Sequence, residues 1–187
     1  GMNLADNLLA YIERKLFTLN TGHAITAYVG KMKGRQTIGE SIEVPEIFDL
    51  VHAAMQQSGE ALVKQFGFDH EAHFKYIEKI IKRFRNPYLK DDVNRVGREP
   101  LRKLSADDRL IKPIMTAKSF GLPYDELLLG VGAALHFDNS EDPQSVQLME
   151  KIKSEGLEAT IAEVTGIAAG DPMIAEIVKA YHDVGKI

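Results

Sequence analysis

The stretch Phe74-Lys75-Tyr76-Ile77-Glu78-Lys79-Ile80-Ile81-Lys82-Arg83-Phe84 sets apolar residues at 74, 77, 81 and 84. Steps of three and four place these four side chains on one face of an α-helix. The same stepping recurs at Ile47, Leu50, Val51, Ala54 and Met55, and again at Ile174, Ile177, Val178 and Tyr181. Each stripe reads as a core face, not a cofactor box. Asp142-Pro143 and Asp171-Pro172 each put an N-cap ahead of a proline at the first helical position, and Ser105-x-x-Asp108 has the form of a capping box. The expected architecture is all-α, a single domain over residues 1–187 built as a bundle of roughly eight to ten short helices. Residues 34–45 have room for a short extended or looped excursion, but no alternating run is long enough to specify a strand. There is no internal repeat or low-complexity linker.

The composition is that of an ordinary globular domain: 187 residues, 44% hydrophobic, 27% charged, net charge -4. No apolar run approaches the length of a bilayer span. Gly1-Met2-Asn3 lacks the basic and apolar regions of a secretory signal, and Gly1 ahead of Met2 reads as an added residue. With no cysteine, disulfides and thiolate metal sites are excluded, which is compatible with a cytoplasmic location. The charge is unevenly spread. Residues 79–112 hold eleven Lys or Arg against five Asp or Glu, so the remainder carries ten net negative charges. Such a block could face nucleic acid, but it contains only two aromatics, Phe84 and Tyr88, and no nucleic-acid-binding motif. A small phosphorylated ligand explains the same charge with fewer assumptions, since guanidinium groups bind phosphate through paired hydrogen bonds. A solvated helix face is the remaining alternative.

The segment Lys15-Leu-Phe-Thr-Leu-Asn20-Thr-Gly-His23 combines a potential base, an amide and an imidazole. Asn20 and His23, three apart, are neighbours on a helix. Lys15 joins them only if the helix breaks near Thr18, Leu19 and Asn20, with Asn20 as a cap. On spacing alone, a surface lysine, a capping asparagine and an unrelated histidine form the commoner combination. Gly130-Val-Gly132 lies in Leu127-Leu-Leu-Gly-Val-Gly-Ala-Ala-Leu-His136, which reads as a buried helix whose glycines allow close packing. A dinucleotide fingerprint needs a preceding strand and a third glycine, and both are missing. His182-Asp183 resembles a metal-phosphohydrolase dyad but lacks its companion residues. His70 and His73, at a spacing open to zinc, are expected to be surface residues, since Glu71 and Glu78 complete no recognisable site.

The Lys15 to His23 motif, then Arg83-Phe84 with Asn86-Pro87, then Asp91-Asp92-Val-Asn-Arg95-Val-Gly-Arg98-Glu-Pro-Leu-Arg102-Lys103 and on to Arg109 and Lys112-Pro113, together resemble the C-terminal domain of the metal-independent, polyol-specific long-chain dehydrogenases. The likeness runs from about residue 7 to 181 and is nearest to the phosphate-specific branch, the mannitol-1-phosphate 5-dehydrogenases. It implies a multi-helix bundle of the 6-phosphogluconate dehydrogenase C-terminal-domain-like type. It also implies oxidation of mannitol 1-phosphate to fructose 6-phosphate with NAD and no metal. Lys15 would be the base, Asn20 one half of an oxyanion hole and His23 a ligand of a substrate hydroxyl. Arg95 and Lys103 would bind substrate oxygens, with Arg98 and Arg102 on the phosphate and Arg109 and Lys112 as alternatives. Asp91, Asp92, Asp107 and Asp108 are expected to cap helices or pair with these arginines. NAD would be bound mainly by an N-terminal Rossmann domain absent from this chain, leaving the chain inactive alone. The residues by themselves also fit a non-catalytic helical module that binds a sugar phosphate or a partner protein.

Overall fold

The computed structural model describes residues 4–187, with side chains from residue 8 onward; the Gly1-Met2-Asn3 reading lies outside this range. Among the described residues there are twelve α-helices and one π-helical turn. The chain begins with α1 (Leu4–Lys15), the π turn (Leu16–Asn20) and α2 (Thr21–Met32). It continues through α3 (Ile38–Ile42), α4 (Pro45–Phe66), α5 (His70–Phe84), α6 (Val93–Gly97) and α7 (Pro100–Lys103). It closes with α8 (Ile111–Ser119), α9 (Asp125–Leu135), α10 (Pro143–Glu155), α11 (Leu157–Thr165) and α12 (Pro172–Val184). The all-α expectation is met. The helix count exceeds the expected range because three elements, α3, α6 and α7, are single turns of four or five residues, too short to show periodicity.

The helix ends have local causes. Asp142 accepts from the amide of Gln144 and Asp171 from that of Met173, each ahead of its proline, as the sequence indicates. Ser105 differs from expectation: its hydroxyl donates to the Arg102 carbonyl, closing α7, and α8 starts only at Ile111. The capping box that does form lies at Thr37-x-x-Glu40, where the Thr37 hydroxyl accepts from the Glu40 amide and the Glu40 carboxylate accepts from the Thr37 amide. Residues 34–37 form the expected looped excursion, with one isolated antiparallel bridge between Thr37 and Asp92, and α3 follows directly at Ile38.

Helix α2 runs through the interior. Its residues from Ala24 to Gly30 are all buried, and it packs against α3, α4, α6 and α9. The glycines of α9 serve packing. A Cβ on Gly132 would lie 2.7 Å from the Ala180 backbone of α12, and one on Gly130 would lie 2.6 Å from Ile25 of α2. A dinucleotide has no room beside either. Tyr28, fully buried, donates its hydroxyl to the Gly97 carbonyl at 3.0 Å, so α2 is bonded to the end of α6. That bond and the α2 to α6 contact set the spacing between the two halves of the site described next.

Candidate active site

The π turn answers the question raised by the Lys15-x4-Asn20-x2-His23 spacing. The helix does not break. Lys15, Asn20 and Thr21 all have right-handed helical dihedrals, and Asn20 caps nothing with its side chain. One residue too many is instead accommodated by i→i+5 bonding, as where the Thr21 amide reaches the Leu16 carbonyl. In that register residue i+5, not i+4, comes over residue i, so Asn20 stands one turn above Lys15. An ordinary step of three then sets His23 above Asn20. Two polar groups at the widened turn find partners outside it, whereas the buried Thr18 hydroxyl has none among the described residues. Ser58 of α4 donates to the Phe17 carbonyl at 2.5 Å, and Thr21 donates to the Arg109 carbonyl at 2.7 Å.

Asn20 and His23 line one cleft with Leu19, Ile38, Arg83, Phe84, Leu89 and Asp91, enclosing about 70 Å³. Lys15 is exposed at the end of α1 and is not among the residues lining this cleft. The His23 ring stacks on Phe84, centroids 5.2 Å apart and planes within 17°. Its Nε2 lies 3.1 Å from an oxygen of Asp91. Burial lowers the His23 pKa, the Asp91 carboxylate opposes that shift, and Arg95 and Lys103 add to it, which favours the neutral ring. Asp91 itself is held by backbone. The Ile38 amide donates to its carbonyl at 2.8 Å, and the Val93 amide donates to Gln36 at 2.9 Å.

The second group surrounds a neighbouring depression of about 380 Å³, lined by Arg95, Arg98, Glu99, Arg102, Lys103, Glu141, Asp142 and Pro143. All four cations expected to bind substrate thus face one space. Asp91 joins the two groups, since its other oxygen accepts from Arg95. The cations differ in commitment. Arg102 pairs with Glu99 at 2.6 Å and with Asp108 at 3.3 Å. Arg98 donates from Nε to the Arg95 carbonyl at 3.3 Å and, among the described residues, has no carboxylate partner. Lys103 is buried, donates to the Val96 carbonyl, and has its pKa lowered to about 8 by burial first and by Arg109 and Arg102 next.

The loop that presents Arg98 is held from below. Asp142, buried at the start of α10, accepts from the Glu99 amide at 2.8 Å while also capping its own helix. Glu99 adopts left-handed dihedrals (φ 61°), a conformation a non-glycine residue holds only where its surroundings impose it. Arg109 pairs with Asp108 at 2.8 Å and Lys112 with Asp107 at 3.5 Å, which accounts for both aspartates as partners of basic residues. Asp92 caps α6.

Residues 7–185 match the family model of the mannitol dehydrogenase C-terminal domain. The chain belongs to that family. The mannitol dehydrogenase C-terminal fold is shared with Pseudomonas fluorescens mannitol 2-dehydrogenase, solved as a ternary complex with NAD and D-mannitol (TM-score 0.71, 20% identity, 97% of this chain and 38% of that one). It is shared equally with D-sorbitol dehydrogenase in substrate-free form (TM-score 0.75, 13% identity, 96% and 40%). The chain spans about two-fifths of the length of these proteins.

Three charged or aromatic residues of the candidate cleft were given no role in the site by the sequence reading. Arg83, Phe84 and Asp91 line the cleft beside Asn20 and His23. All three stand in the motifs that carry the resemblance, but Arg83 and Phe84 also end the periodic stretch of α5, and Asp91 was expected to cap a helix or pair with an arginine, as it does with Arg95. The two histidine lures resolve differently. His70 is exposed and pairs with Glu60 at 2.8 Å, whereas His73 is buried, contrary to the surface position expected for both. Asp183 pairs with Lys179 and Lys186, and these two cations lower its pKa to about 2.

Proposed function

We propose that this chain is the substrate-binding and catalytic domain of an NAD-dependent mannitol-1-phosphate 5-dehydrogenase, interconverting mannitol 1-phosphate and fructose 6-phosphate. The observation that carries this reading is the pairing of the Asn20 and His23 cleft with a depression ringed by Arg95, Arg98, Arg102 and Lys103. A polyol needs hydrogen-bonding groups at the reacting carbon, and a phosphate at the far end of the molecule needs cations one short chain away. The resemblance alone assigns the hydroxyl proton to Lys15, which does not line the cleft; Asn20 would donate to the developing alkoxide, and His23 would fix the neighbouring hydroxyl. Arg95 and Lys103 hold substrate oxygens. Arg98, the uncommitted guanidinium, is the main phosphate ligand, with Arg102 in support.

The described residues do not fit NAD by themselves, because the one Gly-x-Gly is filled by Ile25 and α12. A separate dinucleotide-binding domain would have to hold NAD, which would supply the hydride acceptor, and the proposed reaction calls for no metal. The substrate assignment is tested in the enzyme with both domains. Arg98→Ala should reduce kcat/KM for mannitol 1-phosphate by roughly tenfold or more and leave that for mannitol nearly unchanged, the scale of one charge-assisted contact. Arg102→Ala should do less. Equal losses on both polyols would show that the depression is structural.

A further inference from the structure

The Asp91 carboxylate joins residues far apart in sequence: one oxygen meets Nε2 of His23 on α2, and the other meets Arg95 on α6. Since a carboxylate can only accept, the ring nitrogen it meets carries the proton. We propose that Asp91 is a positioning residue of the site, holding His23 as the Nε2–H tautomer so that Nδ1 is left as the acceptor for a substrate hydroxyl, and fixing Arg95 relative to that ring.

Three observations carry this. First, Phe84 fixes the ring plane by stacking, but a stacked ring can still turn over by half a rotation, giving two orientations in which each nitrogen changes places with a ring carbon. Only a directional partner distinguishes them, and Asp91 is that partner. Second, Asp91 is anchored through its backbone, by the Ile38 amide bonded to its carbonyl, so its side chain is free to take a role that folding does not require. Third, the other charged groups around the ring are cations: Arg95 on α6 and Lys103 on α7 both disfavour imidazolium, and Arg83 on α5 lines the same cleft. In that surrounding an unanchored imidazole would be free to exchange between its two neutral tautomers, with no partner to hold one of them. An acceptor nitrogen suits the proposed work, because a substrate hydroxyl next to the reacting carbon has a proton to donate. The part played by the substrate rests on the dehydrogenase reading; the tautomer does not.

The test is therefore in two arms. In the first, the present chain is labelled with 15N-histidine and two-bond 15N–1H spectra are recorded against pH, with the His23 signals identified by their loss in His23→Gln. The parent should show the Nε2–H tautomer alone above its titration midpoint. Asp91→Ala should mix the tautomers and lower the midpoint by about one unit, the effect of removing a neighbouring opposite charge. Asp91→Asn, of the same shape, should lower the midpoint equally and covers the case in which the alanine variant is poorly folded. A parent with Nδ1–H, or variants with unchanged tautomer and midpoint, would overturn the proposal. In the second arm, the enzyme joined to its dinucleotide-binding domain is assayed on the polyol. Asp91→Ala should raise KM by roughly tenfold while kcat falls less. Unchanged KM and kcat would overturn the positioning role in catalysis. No turnover by the parent would instead count against the dehydrogenase reading, and the tautomer result would still stand or fall alone.

Discussion

Lys103 shows what the site costs the fold. Its side chain is 5% exposed and its pKa is lowered to about 8. The unfolded chain still binds that proton between about 8 and the ordinary lysine value, whereas the folded chain has lost it, so stability rises with pH across this window. Urea unfolding from pH 8 to 10 should show a rise, up to order 3 kcal/mol if the window were completed, and Lys103→Met should abolish the slope. A slope that survives the substitution would assign it elsewhere. His73 gives the acid counterpart. It is 1% exposed, neither ring nitrogen has a hydrogen-bond partner, and burial lowers its pKa to about 4. The folded ring stays neutral while the unfolded ring protonates below about 6.5, so stability is lost as pH falls from there toward 4. His73→Leu should flatten that limb of the pH profile. Neither behaviour was legible beforehand. A lysine in a basic block and a histidine on a helix with charged neighbours both look solvated, and only the burial reveals otherwise.

At the scale of elements, the π turn is the feature on which the site depends. The sequence displayed its residues and their spacing, and set Asn20 and His23 as neighbours three apart on a helix. It suggested a break because an extra residue in a helix has no signature in hydrophobic periodicity. The turn's observed tertiary ties are two: the hydroxyls of Ser58 and Thr21 bond to the Phe17 and Arg109 carbonyls. Ser58→Ala leaves the buried Phe17 carbonyl without that partner and should destabilise the protein by about 1 to 3 kcal/mol in denaturant titration. The α9 to α12 contact was read more fully, since a glycine pair inside an apolar helix indicates close packing. Gly132→Ala sets a methyl group against backbone that cannot turn aside, so a drop in Tm corresponding to at least about 1 to 3 kcal/mol is expected. A variant as stable as the parent would show that the two helices separate easily.

Over the whole molecule, the positive charge of residues 79–112 is gathered beside the imidazole cleft by α5, α6 and α7, while Asp91 ties the two together. The block and its helical setting were legible as composition and periodicity. The convergence of Arg95 and Lys103 on the His23 region was implied only by resemblance, because contacts across some seventy residues of sequence leave no trace in local pattern. What resemblance could not supply was the inequality among the arginines, which depends on which carboxylates they already meet. The central claim is that Lys15, Asn20 and His23 perform the chemistry of a two-domain dehydrogenase. The direct measurement is NADH formation from mannitol 1-phosphate by the chain joined to its dinucleotide-binding domain, by that enzyme with Lys15→Ala, and by the present chain alone. The account expects turnover in the first, a loss of at least about a hundredfold in kcat with a much smaller change in KM in the second, and none in the third. Undiminished kcat in Lys15→Ala, or turnover by the isolated chain, would contradict it.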